Sequence, residues 1–340
     1  MSMTPSESSK LEFPAAWQKP AMPGFGTFPW PHVTSERNYR EVARSMQCTI
    51  EAALTLGYHH LDTAFTYGNQ DLVGAAVRAA GVHRNQLFVT SKLHPNNNNY
   101  REAIEKILEA IALVWGEACA PEERYLDAFL LHYPGNGDPL EAWKALQEAK
   151  SKALVRHIGV SNFEIWHIDR ISNESGVVPE INQIEFHPWI YQEQKDLLRY
   201  CHQHEIVVEG YSPLAQGKYL QSPVLKNLAH VHQATPARIL LKWCMQHGVR
   251  PIVGSRNTDH LRSNAESYDF ELRDSEMEEL NSLGSMHPLR IAEQWRWNPK
   301  VASFGEKTRR NTVKKFTRQF LKRILSYRHL LAWHRTTNEK

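Results

Sequence analysis

The chain has 340 residues, 41% of them hydrophobic, and a formal charge of +3 at neutral pH. That length buries a sizeable core and is too short for more than about two ordinary domains, so one large domain with ends is expected. The charge is uneven: residues 301–340 carry eleven Lys and Arg against two acids, a local +9 that leaves the first 300 residues at −6. Cys48, Cys119, Cys201 and Cys244 show no CxxC spacing, which argues against a disulfide framework or a zinc site. The start, MSMTPSESSK, is polar, and no apolar run is long enough to span a bilayer, so a cytoplasmic protein with no transmembrane segment is expected.

Residues 1–19 form a tail without periodicity. Strand and helix patterns then alternate. Phe25–Thr27 predicts a short strand and Glu36–Leu56 a helix; Tyr58–Thr63 predicts the second strand, followed by a helix over Asn69–Ala80 with Asn69 as N-cap. Leu87–Leu93 is followed by a helix over Tyr100–Leu113, and Tyr125–His132 by one from Pro139 to about Lys152. Val155–Asn162 precedes a helix from Glu164, and Glu180–Phe186 is a further strand. Ile206–Ser212 is followed by a helix over Pro236–His247, and Arg250–Ser255 by one near Asp259–Ser267. Eight such units with Val-, Ile- and Leu-rich strands fit a closed α/β (β/α)8 TIM barrel over residues 20–300 better than an open doubly wound sheet.

In such a barrel, active-site groups lie just past the C-terminal ends of the strands. The polar residues there are Asp62 and Tyr67, Lys92, His132, Ser161 and Asn162, Gln183, Tyr211, and Ser255. The stretch Gly57–Gly74, GYHHLDTAFTYGNQDLVG, places a carboxylate and a phenol at one strand-to-helix turn. Taken singly, each has a structural reading: Asp62 as a turn or cap residue, Lys92 as a solvated strand-end lysine, His132 as a hydrogen-bonded core histidine. The pairs His202/His204 and His230/His232 are two apart on predicted helix and do not share a face, so no metal site is expected.

Together with FVTSKL, LLHYP, IGVSNF, INQIEFHP, GYSPL and IVGSRNTDHLRSN, in this order, the stretch resembles the aldo-keto reductases over about residues 20–285. The resemblance implies an NAD(P)H-dependent enzyme that interconverts an aldehyde or ketone and its alcohol. Its catalytic residues would be Asp62, Tyr67, Lys92 and His132. Hydride transfer to a carbonyl leaves an alkoxide that needs a proton, and a free tyrosine, with a pKa of about 10, is a poor donor near neutrality. An ammonium from Lys92 beside the phenol is expected to lower that pKa, with Asp62 holding Lys92 and His132 orienting the carbonyl.

No GxGxxG follows a strand and no GxxxxGK[ST] occurs, so a Rossmann domain is not indicated. The resemblance instead implies a nicotinamide on the barrel mouth, its carboxamide held by Ser161, Asn162 and Gln183 and its ring on Tyr211, with Gly26 and Thr27 lining the cavity. Asp62, Ser212, Ser255, Arg256 and Asn264 fall at further cofactor-contacting positions. Many members have Lys where this chain has Gly254 and Arg where it has His260, the two cations that grip the 2'-phosphate. NADPH is expected from the family pattern with Arg256 and Arg262 as substitute cations, and NADH is an alternative. Phe28, Trp30, Tyr67, His132 and Tyr133 would contact the carbonyl substrate, Tyr133 standing where many members have Trp; Trp189, Trp295 and Trp297 are further candidates for shaping the pocket, and Gln70 replaces a common Glu.

From Val301 onward the resemblance ends. Val313, Phe316, Phe320, Ile324, Tyr327 and Leu331 step by three or four among Lys and Arg, which predicts a basic amphipathic helix suited to an anionic membrane surface or a protein partner. No nucleic-acid module accompanies it. Two competing functions follow: a non-catalytic nicotinamide-nucleotide-binding regulatory subunit, or an alcohol or sugar dehydrogenase running oxidatively.

Overall fold

A computed structural model describes residues 22–28 and 36–291, apart from 95–96, 98, 117–118, 135–138, 267–268 and 287–288. The N-terminal tail, Trp30, Trp295, Trp297 and the basic segment 301–340 lie outside the described residues.

Eight parallel strands close on themselves: β1 (Gly24–Gly26), β2 (His60–Asp62), β3 (Phe88–Leu93), β4 (Leu126–Leu131), β5 (Val155–Ser161), β6 (Ile181–Glu185), β7 (Val207–Tyr211) and β8 (Val249–Val253). Closure is made by β1 against β8, Gly24 opposite Ile252 and Phe25 opposite Val253. The helices are α1 (Glu36–Thr55), α2 (Gln70–Ala80), α3 (Tyr100–Trp115), α4 (Leu140–Ser151), α5 (Ile165–Ser175), α6 (Tyr191–Gln203), α7 (Pro223–Val231), α8 (Pro236–Gln246), α9 (Thr258–Ala265) and α10 (Asp274–Met286). This is the expected (β/α)8 architecture. Two differences appear: α6 crosses from β6 to β7, and α7 precedes α8 after β7, neither of which the sequence pattern showed.

The strands are buried on both faces, as β3 (FVTSKL) and β4 (LDAFLL) show along their whole length. Alternation sends successive side chains to opposite faces. Val89, Phe129, Leu131 and Val160 turn outward and join one large apolar cluster with the inner faces of the helices. Phe88, Ala128, Leu130 and Ile181 turn inward and form a smaller cluster on the barrel axis. The same inward parity carries His60 and Asp62 on β2, Thr90 and Lys92 on β3, Gln183 on β6, and Glu209 and Tyr211 on β7. The barrel is therefore apolar at one depth and polar at the next, and the polar layer stands at the strands' C-terminal ends.

At some helix starts a side chain satisfies an orphan N–H group: Asn99 accepts from Glu102 N at 2.9 Å, and Asn257 from Asp259 N at 2.8 Å. Asn69 behaves differently. It stands at the N-cap of α2 but makes no side-chain cap bond there. Its amide instead donates to Thr27 O at 3.0 Å and accepts from Thr63 Oγ1 at 2.8 Å, pinning the β1 and β2 exits together. The expected capping role is thus replaced by a loop-to-loop tie.

Candidate active site

The strand–turn–helix unit at β2 sets the site. β2 ends at Asp62, the backbone runs extended through Ala64, and one 3-10 turn, Phe65–Tyr67, ends on Gly68 with φ 64°. That left-handed residue lets the chain reverse into α2 while Tyr67 is presented at the mouth. Lys92, two residues from Thr90, which pairs with Asp62, reaches back across the barrel wall. Its ammonium donates to Asp62 Oδ1 and Oδ2, both at 2.7 Å, to Thr63 O at 3.1 Å, and to Tyr67 OH at 3.3 Å. Both members of the ion pair are buried. A buried ammonium keeps its charge only when its protons are satisfied, and here a carboxylate and a carbonyl do that while one direction points at the phenol.

His132 lies just past β4, buried, its ring at 5.7 Å and 79° to that of Tyr67. Its Nδ1 is 3.2 Å from Thr66 Oγ1, a partner not singled out from sequence. Burial, then the positive charge of Lys92 and of His94, hold His132 well below the usual imidazole range, so the ring is neutral near pH 7. Tyr67 goes the other way from the sequence expectation. Burial, and then the negative charge of Asp62, push the phenol well above its ordinary value. Asp62 is bonded through both oxygens to Lys92, and its charge offsets the ammonium that was expected to acidify the phenol.

Three aromatic groups frame this center. Phe28 packs over the Tyr67 ring at 4.9 Å and is 46% exposed, and Tyr133 stacks on His132 at 4.6 Å and 19°. Trp189, expected near the substrate, is buried against Tyr219 at 4.5 Å. Tyr211, at the end of β7, completes the rim.

The expected carboxamide positions also converge. Ser161 Oγ donates to Gln183 O at 2.8 Å; Asn162, at φ 62°, donates to His132 O and to Ser161 Oγ, both at 3.0 Å, and accepts from Tyr211 OH at 2.8 Å. An aromatic face beside hydroxyl and amide groups fits a planar ring bearing a carboxamide, the donor and acceptor set a nicotinamide needs. Gln183 Nε2 donates to Asp62 Oδ2 at 2.8 Å, tying this subsite to the ion pair. Thr27 Oγ1 donates to Asp62 O at 3.0 Å, and Gly26 lies where a Cβ would crowd Ile252. Ser212, with φ 53°, follows Tyr211 at the rim.

The positions expected to hold the adenosine end lie apart, on the β8–α9 turn. Ser255 Oγ accepts from Asn257 N at 3.1 Å, Arg256 is exposed, and Asn264 is buried on the inner face of α9. Arg262 pairs with Asp259 at 3.2 Å. A Cβ at Gly254 would come within 2.7 Å of Gly26 O, so the β1 and β8 exits approach too closely for a side chain there. Sequence reading also missed Glu209, whose carboxylate accepts from the same Gln183 Nε2 at 2.8 Å; its inward parity with Tyr211 was the available signal. Among the described residues no helix is long and apolar enough to cross a membrane.

Comparison with known proteins identifies the family. Residues 24–285 match the model of the aldo/keto reductase family. The chain is 36% identical over 238 residues to glyoxal reductase of Bacillus subtilis, covering 69% of this chain and 82% of that one. It is 35% identical over 259 residues to the NAD/NADP-dependent indole-3-acetaldehyde reductase of Schizosaccharomyces pombe, covering 74% and 88%. A Bombyx mori aldo-keto reductase solved in complex with NADP superposes with a TM-score of 0.68 at 28% identity, over 81% of this chain and 93% of that one. A closed parallel barrel and a family match spanning residues 24–285 together make this chain a member of the aldo-keto reductase family, an NAD(P)-dependent oxidoreductase.

Proposed function

We propose that the protein reduces an aldehyde or ketone to its alcohol, with Tyr67 as the general acid. The observation that carries this is the Lys92 ammonium, fixed by both oxygens of Asp62 and 3.3 Å from the Tyr67 hydroxyl. The nicotinamide, when bound, supplies the hydride. As negative charge grows on the carbonyl oxygen, Tyr67 gives up its proton and the resulting phenolate is stabilised by Lys92. A phenol held well above its ordinary pKa stays protonated through neutral pH, so the proton is present for reduction but is harder to release, and the phenolate forms only with the charge of Lys92 beside it. Neutral His132, with Thr66 at Nδ1, is left to donate from Nε2 to the carbonyl oxygen and orient it. Ser161, Asn162 and Gln183 hold the carboxamide and Tyr211 the ring. Phe28 and Tyr133 bound the substrate side and favour carbonyl compounds with an apolar or flat body.

NADPH is the proposed cofactor, with NADH also accepted, because Gly254 and His260 supply neither of the two expected cations. Steady-state oxidation of NADPH and of NADH against a panel of aliphatic and aromatic aldehydes, keto acids and open-chain sugars tests this. The relatives named for glyoxal and indole-3-acetaldehyde reduction make aldehydes the first probes. Tyr67→Phe is expected to lower turnover by about 10²- to 10⁴-fold while nucleotide binding, read by fluorescence, survives. Turnover retained in that variant would sink the assignment.

A further inference from the structure

Inside the barrel, one side chain removed from the ion pair, lies a second carboxylate for which the reaction as described has no use. Glu209 on β7 is fully buried and stands in register with Gln183 on β6 and Arg250 on β8. Its Oε2 accepts from Gln183 Nε2 at 2.8 Å, and the same nitrogen donates to Asp62 Oδ2 at 2.8 Å. An amide end facing two carboxylates is its NH2 end, so both protons of Gln183 are committed and its orientation is locked. Oε1 of Glu209 receives no hydrogen bond among the described residues and lies 3.6 Å from His60 Nε2, which itself bonds Thr90 Oγ1 at 3.0 Å. A buried carboxylate oxygen without a donor calls for an explanation, and a proton there removes the uncompensated charge and gives an O–H whose neighbouring acceptor is His60 Nε2.

We propose that Glu209 is a positioning residue for the carbonyl-reduction site: through the Gln183 amide, gain or loss of one proton at its carboxyl sets how strongly Lys92 acts on Tyr67. This rests on the function proposed above. The charged groups facing Glu209 are Asp62 on β2, Lys92 on β3 and Arg250 on β8, together with His60, which burial and then Arg250 and Lys92 hold neutral. With Glu209 ionised, two anions balance Lys92 and Arg250. With Glu209 protonated the cluster carries one net positive charge, which favours the phenolate that forms as Tyr67 donates its proton. Burial, then repulsion from Asp62, push Glu209 up to about 7, so the switch falls in the neutral range. Turnover in the reductive direction therefore falls as pH rises through about 7, and the effect lies in kcat, not in KM for the carbonyl.

The test compares wild type and Glu209→Gln by two readouts. The first is the pH dependence of the Gln183 side-chain NH2 signals in ¹⁵N NMR of the cofactor-free protein, assigned by their loss in Gln183→Leu. The second is kcat for aldehyde reduction with NADPH from pH 5.5 to 8.5. In wild type the NH2 signals shift with a midpoint near 7 and kcat drops about fivefold across it; Glu209→Gln shows no such NMR midpoint and holds its pH 6 rate through pH 8. A kcat inflection that persists in Glu209→Gln overturns the proposal, as do Gln183 signals that do not move in wild type, or that move identically in the variant. If wild type binds nucleotide and reduces none of the carbonyls, the proposed function fails and this proposal falls with it. Turnover with unchanged pH behaviour in the variant removes the role of Glu209 alone.

Discussion

At the scale of single residues, the chemistry depends on charges whose surroundings oppose each other. Asp62 holds Lys92 in place, yet burial first and then the charge of Asp62 raise the Tyr67 phenol, which therefore stays protonated and is not a ready phenolate. The outer cations show the same dependence on neighbours. Arg262 is engaged with Asp259, and a side chain at Gly254 would meet the Gly26 carbonyl, so a lysine there requires the β1 and β8 exits to move apart. His260, exposed in the first turn of α9, has no such obstacle. His260→Arg is expected to tighten NADPH binding about tenfold and leave NADH unchanged, by the strength of a charge-assisted hydrogen bond to phosphate. Fluorescence titration with both nucleotides checks this, and equal tightening of the two would show that the position does not face the 2'-phosphate.

At the scale of elements, helix-to-helix spacing is set by backbone as much as by side chains. A Cβ added at Gly74, midway along α2, would fall on the carbonyl of Val114 near the end of α3. Because the obstacle is backbone and not a movable side chain, Gly74→Ala has to separate the two helices. A loss of about 1–3 kcal/mol in urea unfolding is expected, in the range for overpacking a close-packed contact. A neutral or stabilising result would mean that α2 and α3 have slack. Element type was legible where apolar periodicity was strong, as in β3, β4 and α3. It was not legible in α6, YQEQKDLLRYCHQ, which buries only Gln194, Leu197, Leu198 and Cys201 and so presents a thin apolar stripe. Asn69 carried a helix-cap signature, yet tertiary neighbours Thr27 and Thr63 claimed its side chain.

At the scale of the whole molecule, closing the barrel forces polar groups onto a common axis, and stability registers that cost. The folded chain keeps the Glu209 proton up to about pH 7, whereas the unfolded chain releases it near the ordinary value of 4.5. The folded state thus binds more protons between these limits, and its stability falls as pH rises across that window and levels off above it. The shift corresponds to about 3 kcal/mol. Glu209→Gln lacks this loss, so its unfolding free energy relative to wild type is expected to rise by about that amount from pH 4.5 to 8, as urea denaturation at several pH values would show. A constant difference would mean that Glu209 is ionised in the fold at every pH tested.

The sequence by itself determined the barrel and named the candidate residues of the site, because strand alternation, helix periodicity and ordered strand-end motifs are local patterns that each segment carries alone. Asp62, Lys92 and His132 were readable as candidates because each lies at the end of a recognisable strand, and Tyr67 because it falls in the turn that follows one. Only the tertiary structure decided their electrostatics and their hidden support. The sign of the Tyr67 shift, the tie from Asn69 and the sharing of Gln183 by Asp62 and Glu209 depend on distances between residues as many as 121 positions apart. Those distances are fixed by strand register and barrel closure, which belong to the assembled sheet and to no segment of it.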